Sequence, residues 1–210
     1  MERKRLPEGE RLLALSRIDR RYWSRPGCLL AGMDEVGRGP LAGPVVAGCI
    51  VMPPEPMVEH INDSKKMTAK RREAAYEKLL TTALASATAW VEPAVIDEIN
   101  ILQATRRAFQ EAFAKIQTPV THVLIDALTG LELPAEQHVL VHGDALSYSI
   151  ACASVLAKVE RDRYMAEMDA AYPVYGFAKN KGYGTAEHIA ALKRYGPCPL
   201  HRRSFIKNFL

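Results

Sequence analysis

Residues 147–159, SYSIACASVLAKV, put small or apolar side chains on nearly every side of a helix. A helix that is apolar all round has to be buried, so the rest of this chain must cover it. The segment belongs to a longer helical stretch, about residues 145–171, limited by Pro173. Material to cover it lies upstream. Residues 28–34 (CLLAGMD), 44–52 (PVVAGCIVM) and 84–92 are short apolar runs with Gly or Pro nearby, which favours strand over helix. His122–Asp126 and Val139–Val141 read as two more strands. Helices are expected over 9–23, where Leu12, Leu15, Ile18 and Tyr22 recur at helical spacing, over 68–82 with Thr68 as N-cap, over 100–116, and over 185–195 beginning at Thr185. Strands lead the first half and helices dominate the second. The fold class is therefore α/β, a mixed central sheet flanked by helices with a helical C-terminal part.

The 210 residues suffice for one substantial domain with a small appendage. No apolar run approaches the roughly 20 residues that span a bilayer, and the N-terminus lacks a secretory pattern. Four scattered cysteines, Cys28, Cys49, Cys152 and Cys198, form no CxxC pair and read as reduced thiols of a cytoplasmic protein. The net charge of +4 is uneven. Residues 1–25 carry eight Lys/Arg against four Asp/Glu, residues 26–175 carry 13 against 19, and residues 176–210 carry seven against one. An acidic centre between basic ends fits a metal site flanked by surfaces for a polyanion, although a basic tail is also an ordinary solvated surface.

Two strands end in carboxylates, at Asp34/Glu35 and at Asp126. Were the strands neighbours, three carboxylates would converge at one sheet edge. Asp144, just before the long helix, is either a fourth or a plain N-cap. Such a set suits hard divalent cations, which prefer oxygen ligands, and paired cations stabilise both the attacking and the leaving oxygen in phosphoryl displacement. Gly37-Arg38-Gly39 follows at once and lets backbone approach a ligand closely. Ser64 and Lys65, in Asn62-Asp63-Ser64-Lys65-Lys66, are either phosphate-backbone contacts or a solvated turn. Lys181 and Tyr183 lie in a glycine-rich basic loop, where an exposed aromatic is suited to stacking on a base or sugar. The tail His201-Arg202-Arg203-Ser204-Phe205 is either a basic surface for a phosphate backbone or a tail that only packs its Phe and exposes its arginines. None of the six histidines shows HExxH or related ligand spacing, and neither a nucleophile elbow nor a GxxxxGK[ST] loop is present.

The order DEVGRGPLAGPVV, NDSKKMTAKRRE, VLIDA, GDALSYSIACASVLAKVERDR, KNKGYGTAEHIAAL and YGPCPLHRRSF resembles bacterial ribonuclease HII, over about residues 28–206. The resemblance implies a ribonuclease-H-like fold, with residues 1–27 a helical extension, 28–210 the catalytic domain and about 172–210 its C-terminal helical segment. It implies an endonuclease that cleaves the RNA strand of RNA–DNA hybrids and nicks duplex DNA at embedded ribonucleotides, leaving 5′-phosphate and 3′-hydroxyl ends. It carries Asp34, Glu35, Asp126 and Asp144 onto the acidic catalytic set that binds Mg²⁺ or Mn²⁺. It carries Gly37, Arg38 and Gly39 onto the loop that senses the ribose 2′-hydroxyl, and Tyr183 onto the residue at the RNA–DNA junction. Asp162 is assigned a structural role. Val36, Ala127 and Cys152 depart from residues frequent in the family, and none of these removes a carboxylate. A monomer without a membrane partner is expected. A phosphatase for small esters would not need Tyr183 and the basic tail, and a non-catalytic nucleic-acid binder would be hindered by four carboxylates.

Overall fold

A computed structural model describes residues 6–210. The chain opens with α1 (Glu8–Leu15) and α2 (Asp19–Trp23), continues through β1 (Leu30–Val36) and β2 (Val45–Val51), and adds α3 (Ala69–Thr82) and β3 (Ala85–Val91). Then follow α4 (Pro93–Ala114), β4 (His122–Asp126), β5 (Glu136–Leu140), α5 (Gly143–Leu146) and α6 (Tyr148–Ala171). Three short helices close the chain, α7 (Phe177–Asn180), α8 (Ala186–Tyr195) and α9 (Arg203–Ile206). The five strands form one mixed sheet in the order β3-β2-β1-β4-β5. β1, β2 and β3 pair antiparallel, while β4 and β5 run parallel to β1. No described helix is long and apolar enough to cross a membrane.

Strand alternation gives the sheet two differently used faces. Ala31, Met33, Val45, Ala47, Cys49, Val123 and Ile125 face α4, whose Ile96, Ala104, Ala108, Phe109 and Ala112 close that core. Phe109 and Ile96 are fully buried, each worth about 1.5–3 kcal/mol over exposure. The opposite face receives α6. Beneath this helix lie Gly32 and Gly48, where an added Cβ would stand 2.2 Å from the Ser149 carbonyl carbon and 2.7 Å from the Ala153 carbonyl oxygen. Helix and sheet thus meet backbone to backbone. Over α6 lies a further layer, with Leu12 and Leu15 of α1 and Tyr76 and Leu79 of α3 packed in one cluster with Ala151, Cys152 and Val155. The segment expected to be apolar all round is therefore enclosed on both sides.

Several expected boundaries move. The helix expected over 9–23 is two helices, because the chain turns after Leu15 to bring Asp19 under the start of α6. The buried Asp19 carboxylate accepts from Ser147 Oγ (3.0 Å), Tyr148 N (3.0 Å) and Ser149 N (2.9 Å). The helix expected over 145–171 breaks at Ser147, whose extended backbone and side chain cap α6 through Ile150 N. α4 begins at Pro93 rather than residue 100, and Asn100 interrupts it with φ 68°. Asn100 Oδ1 accepts from Leu102 N and Gln103 N, so this residue caps the second half. β5 runs over Glu136–Leu140 rather than 139–141.

Candidate active site

β1 and β4 are parallel neighbours with Met33 level with Ile125. The next residue of each strand is an aspartate, so Asp34 and Asp126 stand side by side at the same sheet end. Asp34 continues the α6-facing side of Leu30 and Gly32 and is buried. Its Oδ1 accepts from Glu35 N at 2.8 Å, and its carboxylate also hydrogen-bonds Ser154 of α6. Ser154 in turn meets the Ser64 hydroxyl at 2.9 Å. Asp126 Oδ1 accepts from Gly143 N at 2.7 Å, which ties the end of β4 to the start of α5. Asp144, the next residue of α5, is also buried.

Asp34, Glu35 and Asp144 each resist ionisation. Burial, then the charges of Glu35 and Asp126, push Asp34 well above the usual carboxylate range. Glu35 is raised mainly by burial, with Asp126 adding to it and Arg38, 3.6 Å away, opposing it. Burial, Asp63 and Asp126 raise Asp144. Lys65 faces the group. Burial works against its charge, but Asp34, Asp144, Asp63 and Asp126 outweigh this and raise its pKa. A crowded set of oxygen donors that strains to keep its own negative charge is the donor chemistry of a hard divalent cation.

Beside the acidic set is a cleft of about 250 Å³ lined by Glu35, Gly37, Arg38, Gly39, Ser64, Lys65, Ser154, Lys158 and Tyr183. The sequence-predicted turn, the Ser64-Lys65 pair and Tyr183 therefore share one cavity. Tyr183 is 42% exposed, with its ring free to meet a ligand. Gly37 turns with φ +93°, and a Cβ there would meet Arg161 Nε at 2.4 Å. Among the described residues, the amides of Gly37, Arg38 and Gly39 find no protein acceptor. Lys181 is not brought into the cleft. Its Nζ donates to the Asp162 carbonyl of α6 at 3.3 Å. Its backbone takes φ 53° where the loop turns.

A family model described as Ribonuclease HII matches residues 31–208. The chain belongs to the ribonuclease HII family. A Ribonuclease HII of Caldanaerobacter subterraneus subsp. tengcongensis is 50% identical over 181 residues, covering 86% of this chain and 75% of that one. A Ribonuclease HII of Ruminiclostridium cellulolyticum is 46% identical over 203 residues, covering 97% and 80%. Among solved structures, ribonuclease H2 from Pyrococcus horikoshii OT3 matches with TM-score 0.72 at 26% identity, over 83% of this chain and 92% of that one. Bst-RNase HIII in complex with Mn²⁺ shares the fold at TM-score 0.71 and 16% identity, over 95% and 71%.

In this ribonuclease HII chain two arginines hold the turn, and neither is evident from spacing. Arg202 is fully buried, not exposed as its basic tail suggested. It donates to the carbonyls of Gly37 (2.5 Å), Arg38 (2.9 Å) and Gly43 (2.7 and 2.9 Å). Burial and the neighbouring Arg161 push its pKa down to about 9. Arg161, on α6, donates to Pro44 (2.9 Å), Ala42 (3.1 Å) and Lys181 (2.9 Å). The two guanidiniums take the carbonyls of the 37–44 loop on its inner side. Asp63 was also missed as a neighbour of the acidic set. Its charge helps raise the Asp144 pKa, and its carboxylate accepts from Lys65 N at 3.0 Å. Asp162 pairs with Lys158 (2.6 Å) and Arg72 (3.6 Å), which accounts for it structurally.

Proposed function

We propose that Asp34, Glu35, Asp126 and Asp144 hold Mg²⁺ or Mn²⁺ and that the adjoining cleft receives the RNA strand of an RNA–DNA hybrid, or a single ribonucleotide within duplex DNA. The observation that carries this reading is the side-by-side placement of Asp34 and Asp126 next to Glu35, which lines a cleft together with the glycine turn and Tyr183. Bound there, divalent cations would lower the pKa of the attacking water and stabilise the 3′-oxygen as it leaves. The chain's own residues do the rest. Ser64 and Ser154 orient the Asp34 carboxylate, and Gly143 N orients that of Asp126. The free amides of Gly37, Arg38 and Gly39 lie where a 2′-hydroxyl can be met, the group by which RNA differs locally from DNA. Tyr183 stacks against the sugar of the following nucleotide, and Lys65 and Arg38 supply cations for the phosphates. Residues 28–210 form the catalytic domain, and the helices before residue 28 are an extension seated on it. The enzyme works as a cytoplasmic monomer.

Replacing Asp34 by Asn should abolish cleavage of a labelled duplex carrying one ribonucleotide, with binding of that duplex retained. Cleavage by Asp34→Asn at the parent rate in Mg²⁺ would refute the assignment. Mapping the nick gives the polarity, with 5′-phosphate and 3′-hydroxyl ends expected.

A further inference from the structure

His122 opens β4, and Glu136 and His138 lie on β5, at the sheet end opposite the acidic set. His122 pairs with Glu136 in the register, and His138 is level with Leu124, so all three occupy the face that also carries Asp126. The four-residue separation from Asp126 along β4 amounts to roughly 13 Å. One ligand atom from each of the three lies within 4.8 Å of the others. The Glu136 carboxylate reaches His122 Nε2 at 3.3 Å with one oxygen and His138 Nε2 at 3.0 Å with the other. The two imidazoles are stacked, 5° from parallel with centroids 6.0 Å apart. Tyr22 of α2 packs on both rings, at 5.5 and 5.0 Å, and fixes them from one side. The other ring nitrogen of His122, Nδ1, is engaged by Thr121 Oγ1 (2.9 Å) and Cys28 Sγ (3.2 Å). His138 Nε2 is buried and has no partner in hydrogen-bonding geometry, although the carboxylate oxygen stands beside it.

We infer that His122, Glu136 and His138 form a second metal site, for a transition-metal ion of the Zn²⁺ class. Two imidazole nitrogens and one carboxylate are a donor set that Zn²⁺ takes, with water in the fourth position. Magnesium, by contrast, demands oxygen ligands. Partners on the non-ligating nitrogen, here Thr121 and Cys28, are what orient a metal-binding imidazole. Glu136 is the exposed member and gives the ion its way in. Once bound, the ion cross-links edge strand β5 to β4 beneath α2. The site stands on its own and does not depend on the assignment of the acidic cleft.

The test is titration of the full chain with Zn²⁺ by calorimetry, with millimolar Mg²⁺ present to occupy the acidic cleft. One equivalent should bind and raise the thermal midpoint. Co²⁺ in its place should give the visible absorption of a four-coordinate ion. Glu136→Gln and His138→Gln should each weaken Zn²⁺ binding by on the order of 10–100-fold or more, whereas Asp34→Asn should bind Zn²⁺ like the parent. The exposed position of Glu136 keeps its variant informative should His138→Gln fold poorly. The proposal is overturned if the parent binds no Zn²⁺, if Glu136→Gln binds it as tightly as the parent, or if Asp34→Asn abolishes binding.

Discussion

Gly32→Ala tests whether the contact between α6 and the sheet sets both stability and activity. The new Cβ would stand 2.2 Å from the Ser149 carbonyl carbon, 2.3 Å from its oxygen and 2.6 Å from Ile150 N, all of them backbone. Carbon atoms rest about 3.5–4.0 Å apart, so the start of α6 has to retreat by more than about 1 Å. Overpacking of this kind typically costs about 1–3 kcal/mol, and each kcal/mol lowers the melting midpoint by about 2–4 °C in a chain of this size. The same displacement withdraws Ser154 from Asp34 and shifts α5 with Asp144. A misplacement of about 1 Å can cost ~10²-fold in rate. Urea unfolding gives the stability change, and single-turnover cleavage of a one-ribonucleotide duplex gives the rate. Gly48→Ala, whose Cβ would meet Ala153 O at 2.7 Å, should act in the same direction but more weakly. A Gly32→Ala protein with parent stability and parent cleavage rate would show that the helix gives way freely and that the reasoning is wrong.

Arg202→Lys keeps a cation but cannot reach the carbonyls of Gly37, Arg38 and Gly43 together. Single-turnover cleavage should fall at least about tenfold, the effect of ~1.4 kcal/mol in the barrier, while Mn²⁺ binding stays near the parent value. Tyr183→Ala should reduce cutting at single ribonucleotides more than cutting of long hybrids, and an equal loss on both would argue against its junction role. The His188–His201 pair makes stability depend on pH. Burial and then His188 lower His201 from 6.5 to about 4, and its Nε2 lies 3.0 Å from that of His188. Between those values the unfolded chain takes up a proton that the folded chain refuses. Stability present above about pH 6.5 is therefore lost as pH falls toward 4, by up to about 3 kcal/mol. Urea midpoints at pH 7 and 4.5 should converge for the parent and His201→Gln if this holds, and keep a constant gap if it does not.

Asp34, Glu35 and Asp126 were legible as a group because each sits where an apolar run stops, whereas Asp144, inside α5, also fitted a plain N-cap. Apolar periodicity marks a strand, and a carboxylate where the run stops marks the sheet end. The burial of α6 was legible for the same reason, since no solvent-facing stripe interrupts SYSIACASVLAKV. Arg202 was not legible. A basic residue beside His201 and Arg203 looks solvated, and its acceptors are carbonyls some 159 to 165 residues away. The histidine–glutamate group escaped because its ligands meet through strand register, not through spacing along one element. Asp63 escaped inside a run of polar residues whose composition fits any turn. A basic loop likewise discloses its charge but not the direction of its side chains, as the contact of Lys181 with the Asp162 carbonyl shows.

Arg202 also sets how late in the chain the 37–44 loop finds its full set of partners. All four carboxylates of the acidic set precede residue 145, yet the turn beside them is secured by a residue made much later. At about 5–20 residues per second, synthesis takes on the order of ten to thirty seconds to travel from the 37–44 loop to Arg202. Throughout that interval a growing chain carries its acidic residues without the clamp that shapes the turn beside them. A chain stalled before residue 202 therefore lacks the guanidinium that holds the carbonyls of Gly37, Arg38 and Gly43.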